Sequence, residues 1–279
     1  MRWLVTGAGG LLGTDLVALL REEGEDVIAL TRLDLDVRDA SAVAAAVRDA
    51  APDVVVNCAG WTAVDDAETR EEEALAVNGH AVRNLAVVCR ERLVQLSTDY
   101  VFDGTAPEPY VEDAEPAPVS AYGRTKLAGE RAALGNGGTV VRTAWLYGSG
   151  GPNFVRTMTR LAAGEGAVSV VADQVGQPTW TADLAAQLFR LVVARASPGI
   201  YHATSRGSTS WYGLAREVFE LAGADPDRVR PVTAAEYPRP ARRPANSVLG
   251  HGRWASVGIV PIRDWRDALH AAWPYLKEA

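Results

Sequence analysis

Lysine is all but missing from this chain of 279 residues: of 28 basic residues, only Lys126 and Lys277 are lysine. Cysteine is as scarce. Cys58 and Cys89 lack the spacing of a metal site and lie in apolar stretches, so buried thiols in a reducing compartment, and hence a cytoplasmic protein, are expected. No apolar run reaches the roughly 18 residues of a membrane span. The opening Met-Arg-Trp-Leu-Val-Thr-Gly leaves no room for a signal peptide, so no membrane association is expected. Positive charge is not in excess either. A net charge of −7 and a pI of about 5.2 argue against nucleic acid as a partner, because sequence-independent binding needs a basic face. Internal repeats and low-complexity tracts are absent. What remains is ordinary for a globular protein, with 48% apolar and 23% charged residues and length for one large domain or a domain with a smaller companion.

The first informative stretch is a short apolar strand, Arg2 to Thr6, followed by Gly7-Ala-Gly-Gly10-Leu-Leu-Gly13 and a helix-periodic run to about Arg21. Strand, glycine turn and helix in that order form the setting of a dinucleotide fingerprint. Glycines permit a tight turn and close approach to a pyrophosphate, whose charge the helix N-terminus favours. The common Gly-x-Gly-x-x-Gly spacing fails at Leu12, whereas Gly7-x-x-Gly10-x-x-Gly13 is complete. A second strand, Asp26 to Leu30, is followed by Thr31 and Arg32 where a ribose-binding carboxylate would suit NAD. A hydroxyl and a guanidinium suit a 2′-phosphate better, so NADPH is favoured, with NADH kept open by Asp34. Asp39 or Ser41 can cap a helix to about Ala50. Asp53-Val-Val-Val-Asn57 then reads as a central parallel strand, and Cys58-Ala59-Gly60 lets a flat cofactor lie close to the backbone. A long helix with Glu71 to Glu73 in its first turn follows, and Leu93 to Ser97 is the next buried strand. Thr98 stands at its carboxyl end, where open parallel sheets place ligands.

One of the two lysines now becomes informative. Tyr122 and Lys126 sit four residues apart in a helix starting near Ala121, and so share a face. With eight tyrosines and two lysines in the chain, chance supplies such a pair at a rate of roughly 0.06. An ammonium beside a phenol pulls the phenol pKa down toward working pH, which suits Tyr122 to exchanging a proton with a carbonyl or hydroxyl. The alternative is an exposed tyrosine near an exposed lysine. Reduction of a ketone needs a hydride, a proton and a group to hold the oxygen; a nicotinamide, Tyr122 and the Thr98 hydroxyl would supply them. The four histidines (80, 202, 251 and 270) are scattered, and no Ser-His-Asp set and no metal site can be assembled.

Alternating strands and helices up to Thr139–Thr143 indicate βαβ winding. Beyond Gly148 the texture changes to a helix near 153–163, a strand at 168–171, a helix near 183–196, and a strand at 200–203 that rejoins the main sheet. Helices near 211–222 and 262–276 follow. The fold class expected is α/β: a Rossmann-like doubly wound parallel sheet over 1–148 plus about 181–203. A smaller, discontinuous α/β substrate-binding lobe would occupy about 149–180 plus 204–279. Arg242 and Arg243, on a stiff loop between prolines, would suit a diphosphate or form a solvated basic turn.

Several longer motifs carry a resemblance. Leu96-Ser97-Thr98-Asp99-Tyr100-Val101-Phe102-Asp103-Gly104 is one, and Asn57-Cys-Ala-Gly-Trp-Thr62-Ala-Val64-Asp65 another. With Asp173-Gln-Val-Gly-Gln-Pro178-Thr179 and Ala241-Arg-Arg-Pro-Ala-Asn246-Ser247, they resemble the dTDP-4-dehydrorhamnose reductase family, among the extended short-chain dehydrogenase/reductases. The resemblance runs over nearly the whole chain. It implies NADPH-dependent reduction of the C4 ketone of a dTDP-4-keto-6-deoxyhexose, with Thr98, Tyr122 and Lys126 as the catalytic set. It places Gly7, Gly10, Leu11, Leu12, Gly13, Arg32, Asp36, Val37, Ala59, Gly60 and Thr62 around the cofactor. Val64, Asp99, Tyr100 and Trp145 would meet the sugar, with Asn153, Arg243 and Asn246 toward the nucleotide. A homodimer is compatible with it. Related dehydratases resemble Thr-Asp-Glu where this chain has Thr98-Asp99-Tyr100, and so lack a counterpart here. An epimerase, and a regulatory role like that of the methionine adenosyltransferase subunit, stay open as alternatives.

Overall fold

In the computed structural model, which describes residues 1–276, six strands form one parallel sheet. The first half of the chain runs β1 (Arg2–Thr6), α1 (Leu11–Glu22), β2 (Asp26–Leu30), α2 (Ala40–Ala50), β3 (Val54–Asn57), α3 (Val64–Ala67), α4 (Glu71–Leu75), α5 (Ala81–Cys89), β4 (Leu93–Thr98), α6 (Ala121–Gly135) and β5 (Thr139–Thr143). Then come β6 (Leu146–Tyr147), α7 (Phe154–Ala162), β7 (Val168–Val171), β8 (Val175–Gly176), β9 (Thr179–Trp180), α8 (Thr181–Val193) and β10 (Ile200–His202). The chain ends with β11 (Thr209–Ser210), α9 (Trp211–Leu221), β12 (Val229–Val232), α10 (Gly252–Ser256) and α11 (Trp265–Leu276). The far end of the expected second lobe, 277–279 with Lys277, lies outside the described residues.

The sheet order is β2-β1-β3-β4-β5-β10. From β1 the chain steps outward to β2, then returns across β1 to build β3, β4 and β5 on the other side. This reversal opens a crevice between the carboxyl ends of β1 and β3, where doubly wound sheets bind ligands. The β3 and β4 strands are buried along their whole length, as the largely apolar strands of a central parallel sheet are, with Asn57 and Gln95 hydrogen-bonded to each other. Helices α1 and α8 with Trp254 cover one face, and α2, α5 and α6 the other. A separate core joins Tyr147, α7, β7, α9, β12 and α11, and β7 pairs with β12 in parallel. Among the described residues no helix is long and apolar enough to cross a membrane.

Two expectations are corrected. The long helix after Glu71 is divided by a wide π turn at Ala76–His80. The turn aims Asn78 across the fold, where it accepts from Trp61 N at 2.8 Å and donates to Thr125 Oγ1 at 3.1 Å. Helical widening of this kind often serves to direct one side chain. Of the two thiols only Cys89 is buried; Cys58 is half-buried at the end of β3.

A buried ion pair joins α6 to the sheet. Glu130 accepts from Arg142 Nε at 2.9 Å and Nη2 at 2.8 Å, and from the Ser97 hydroxyl at 2.5 Å. Both partners of this ion pair are about 1% exposed. Arg142 also donates to Glu112 O at 3.3 Å and lies 3.3 Å from His202 Nε2. Burial and the Arg142 charge push His202 down to about 3, so its ring is neutral and accepts from the guanidinium while Nδ1 donates to Gly250 O. Replacing Glu130 by alanine strands a buried charge, and should lower unfolding free energy in urea by about 3–5 kcal/mol. A loss below about 1 kcal/mol, the range of an exposed pair, would contradict this reading.

Candidate active site

The glycine loop is shaped by close approach. Gly7 has φ +64°, and a Cβ there would lie 2.5 Å from Ala59 N. A Cβ on Gly13 would sit 2.3 Å from Gly7 O. The strand end, the 58–60 turn and the first turn of α1 are therefore in backbone contact, which no side chain would permit. Gly10 is the N-cap of α1 and supplies no side-chain hydrogen bond, whereas Asp39, Ser120 and Asn153 cap their helices. First-turn N–H groups are thus left for an anion. These residues fit a dinucleotide pyrophosphate. Leu11 is half-buried and Leu12 is buried in the core, so Leu12 can offer only its backbone.

Beyond β2, Asp34 turns back to accept from Thr31 N at 2.9 Å and Thr31 Oγ1 at 2.7 Å. Arg38 grips Asp36 at 2.6–3.1 Å and holds its carboxyl down at about 2. Val37 is buried and Arg32 exposed. Both carboxylates that could have favoured a free ribose diol are already engaged, and the guanidinium faces solvent.

Thr98 ends β4, paired in register with Thr143 of β5. Its hydroxyl donates to Asp99 Oδ1 at 3.0 Å and accepts from Tyr100 N at 3.2 Å. Ser120 caps α6 by accepting from Gly123 N at 3.2 Å. Gly123 brings that first turn onto the 99–101 turn, because a Cβ there would lie 2.2 Å from Tyr100 O. Tyr122 is thereby set beside Thr98, edge-on to Tyr100 with ring centroids 5.6 Å apart. One turn on, Lys126 Nζ donates to Leu96 O at 2.6 Å. A Cβ on Gly60 would fall 3.9 Å from that nitrogen, so the lysine reaches the glycine-lined crevice.

The expected lowering of the Tyr122 pKa is reversed. Burial pushes the phenol up to about 12, opposed by hydrogen bonding with Thr98 and reinforced by the Asp99 charge. The lysine yields instead: burial brings its ammonium down to about 8, against the pull of Glu130 and Cys58. In a crowded interior, desolvation of a charged form outweighs attraction between neighbours. A neutral phenol is nonetheless the form that donates a proton. Burial also pushes Asp99 up to about 6, opposed by Ser247 and Thr98.

On the distal side, Trp145 adopts φ +46°, rare for a bulky residue. Its ring stacks on Trp211 at 3.5 Å and fills the space a Cβ on Gly176 would need. Val64 is half-buried at the start of α3, with Thr62 exposed just before it. Asn153 caps α7 and donates to Gly148 O and Gly151 O at 2.7 and 3.0 Å. Asn246 donates to Ala106 O at 2.8 Å and accepts from Val248 N at 3.2 Å. Both amides therefore shape loops from their positions. Arg243 is drawn to Asp65 at 3.0 Å. Asp65 and Trp211 are functional neighbours that the sequence does not mark: Asp65 falls in the 57–65 motif, and no local pattern links either residue to its partner.

Comparison with known proteins follows the same lines. The model of the RmlD substrate binding domain matches residues 1–277. The chain belongs to the RmlD family. A probable dTDP-4,6-dihydroxy-2-methyloxan-3-one 4-ketoreductase of Streptomyces antibioticus is 56% identical to this family member, over 98% of the chain and 95% of the relative. The dTDP-4-dehydrorhamnose reductase of Streptomyces griseus is 54% identical over 99% and 94%. Among solved structures, the Bacillus anthracis dTDP-4-dehydrorhamnose reductase in complex with NADP superposes with a TM-score of 0.94 at 37% identity, covering 98% of both chains.

With only two lysines, this RmlD-family chain permits direct titration. Nitrogen NMR of the lysine Nζ groups, with Lys277→Arg for assignment, should show Lys126 losing its proton with a midpoint near 8. A midpoint near the ordinary value of about 10.4 would contradict the desolvated environment.

Proposed function

We propose that this protein is an oxidoreductase that uses NADPH to reduce the C4 ketone of a dTDP-4-keto-6-deoxyhexose, giving dTDP-L-rhamnose or a related deoxysugar. The observation that carries the reading is the convergence of Thr98, Tyr122 and Lys126 at the carboxyl end of β4, beside a glycine loop shaped for a pyrophosphate. NADPH supplies the hydride when bound. Tyr122, neutral at working pH, gives its phenolic proton to the oxygen as negative charge develops there. The Thr98 hydroxyl shares that oxygen. Lys126 holds the nicotinamide ribose and stabilises the phenolate that Tyr122 becomes.

The rest of the cofactor falls to the α1 N-terminus with Gly7, Gly10, Leu11, Leu12 and Gly13, to Ala59, Gly60 and Thr62, and to Val37. Arg32 meets the 2′-phosphate, and the engaged state of Asp34 and Asp36 supports NADPH over NADH. Asp99, Tyr100, Val64 and Trp145 line the sugar. The division into a cofactor domain (1–148 with about 181–203) and a substrate lobe belongs to the same proposal. So do a cytoplasmic location, which the two free thiols support, and self-association into a homodimer, checked by light scattering. A UDP-glucose 4-epimerase from Thermus thermophilus and a dTDP-glucose 4,6-dehydratase from Streptomyces venezuelae share the fold at 24% and 20% identity. A dehydratase reading lacks support, since Tyr100 stands where a second acid would be wanted.

Tyr122→Phe should lower the rate of dTDP-4-keto sugar reduction by about 10² or more and leave the NADPH dissociation constant nearly unchanged. Wild-type turnover by the phenylalanine variant would refute the acid assignment. Arg32→Asp should shift the ratio of kcat/KM for NADPH over NADH toward NADH by about tenfold or more, and an unmoved ratio would remove Arg32 from cofactor selection.

A further inference from the structure

The loop of residues 237–245 carries three arginines, and two of them are committed to one carboxylate of the opposite wall. Asp65 Oδ1 accepts from Ala241 N at 3.2 Å and Arg243 Nη1 at 3.0 Å. Its Oδ2 accepts from Arg239 Nε at 3.0 Å and Nη2 at 2.7 Å, and from Arg243 Nη2 at 3.1 Å. Five hydrogen bonds on one carboxylate join α3, beside the expected nicotinamide region, to a loop more than 170 residues away in sequence. Arg243 is further held by Ala241 O at 2.9 Å, and its charge acts on the phenol of Tyr100, the residue packed edge-on against Tyr122. The other end of the loop is seated as firmly: a Cβ on Gly104 would lie 2.4 Å from Pro244 Cβ. Prolines at 238, 240 and 244 stiffen the span between these anchors.

We propose that Asp65 is a positioning residue, a clasp that closes the 239–243 loop over the sugar-nucleotide site and sets Arg243 beside Tyr100. Two guanidiniums around one carboxylate leave a net positive charge of one in the clasp, so an anionic nucleotide sugar is drawn to the closed loop. Arg243, expected to grip the diphosphate, spends donors on Asp65 and Ala241 O instead. Its contribution to substrate binding is then exerted through Tyr100 and loop position, and Arg242, exposed at the loop tip, is free to face solvent anions. This inference rests on the proposed function for the identity of the substrate, whereas the clasp itself does not.

The test uses the full chain and two independent readouts. Arg239 and Arg243 each precede proline, so the Arg242–Arg243 bond is the tryptic bond within the loop. In Asp65→Ala, cleavage there should accelerate by about tenfold or more, as a local opening equilibrium shifts. The KM for a dTDP-4-keto-6-deoxy sugar should rise by about tenfold or more, the scale of lost charge-assisted hydrogen bonds, with the KM for NADPH within about twofold. Arg243→Ala should do the same, and the double variant should be no worse than either single one, as for partners in one contact. Unchanged nicking in Asp65→Ala overturns the clasp. Faster nicking with an unchanged sugar KM, or additive effects of the two substitutions, overturns the positioning role. A wild-type protein that fails to reduce any dTDP-4-keto sugar overturns the substrate assignment, and nicking then still decides the clasp.

Discussion

Helix α6 is pinned to strand β5 by charge and to strand β4 by a hydroxyl and an amide carbonyl, and the active-site geometry depends on that pin. Tyr122, Lys126 and Glu130 follow each other at four-residue spacing along one face. The lowest of them takes the Ser97 hydroxyl and the Arg142 guanidinium, and the middle one donates to Leu96 O. Ser97 and Leu96 directly precede Thr98 on the same strand. The Thr98 hydroxyl is therefore fixed by anchors one and two residues away, and the Tyr122 phenol by anchors one and two helical turns away, within a close-packed interior that resists sub-ångström drift.

The same packing sets the electrostatics. A buried ammonium is costly unless paired, and this one has a carbonyl in contact and a carboxylate one turn away. A buried phenol keeps its proton. Before any ligand is considered, the pair already stands as a neutral acid beside a cation whose proton is held more loosely than usual. A reduction in which negative charge develops on a carbonyl oxygen asks for that disposition.

Much of this was legible in the sequence because periodicity and glycine carry strong local information. The Gly7–Gly13 loop, the Val54–Asn57 strand and the α6 start at Ala121 follow from runs of residues whose patterns allow few alternatives. The direction of the Tyr122 shift was not legible. Spacing along a helix says that two side chains share a face, but not how far each is withdrawn from water. The π turn at Ala76–His80 and the Asp65–Arg243 contact were invisible for a related reason. They arise from where separate segments meet, and no local pattern in either segment encodes its partner. Trp145 and Trp211 are alike in this respect, 66 positions apart yet stacked.

Relatives at 56% and 54% identity are named for different keto sugars, and the proposed division of labour gives the choice of sugar to the distal wall and the chemistry to the β4–α6 pair. The most direct test of that separation is a crystal structure of the protein with NADP⁺ and a dTDP-6-deoxyhexose product. The account predicts the sugar C4 oxygen within about 2.6–3.2 Å of both the Tyr122 and Thr98 hydroxyls, facing the nicotinamide. A C4 oxygen held by other groups, with Tyr122 out of reach, would contradict it.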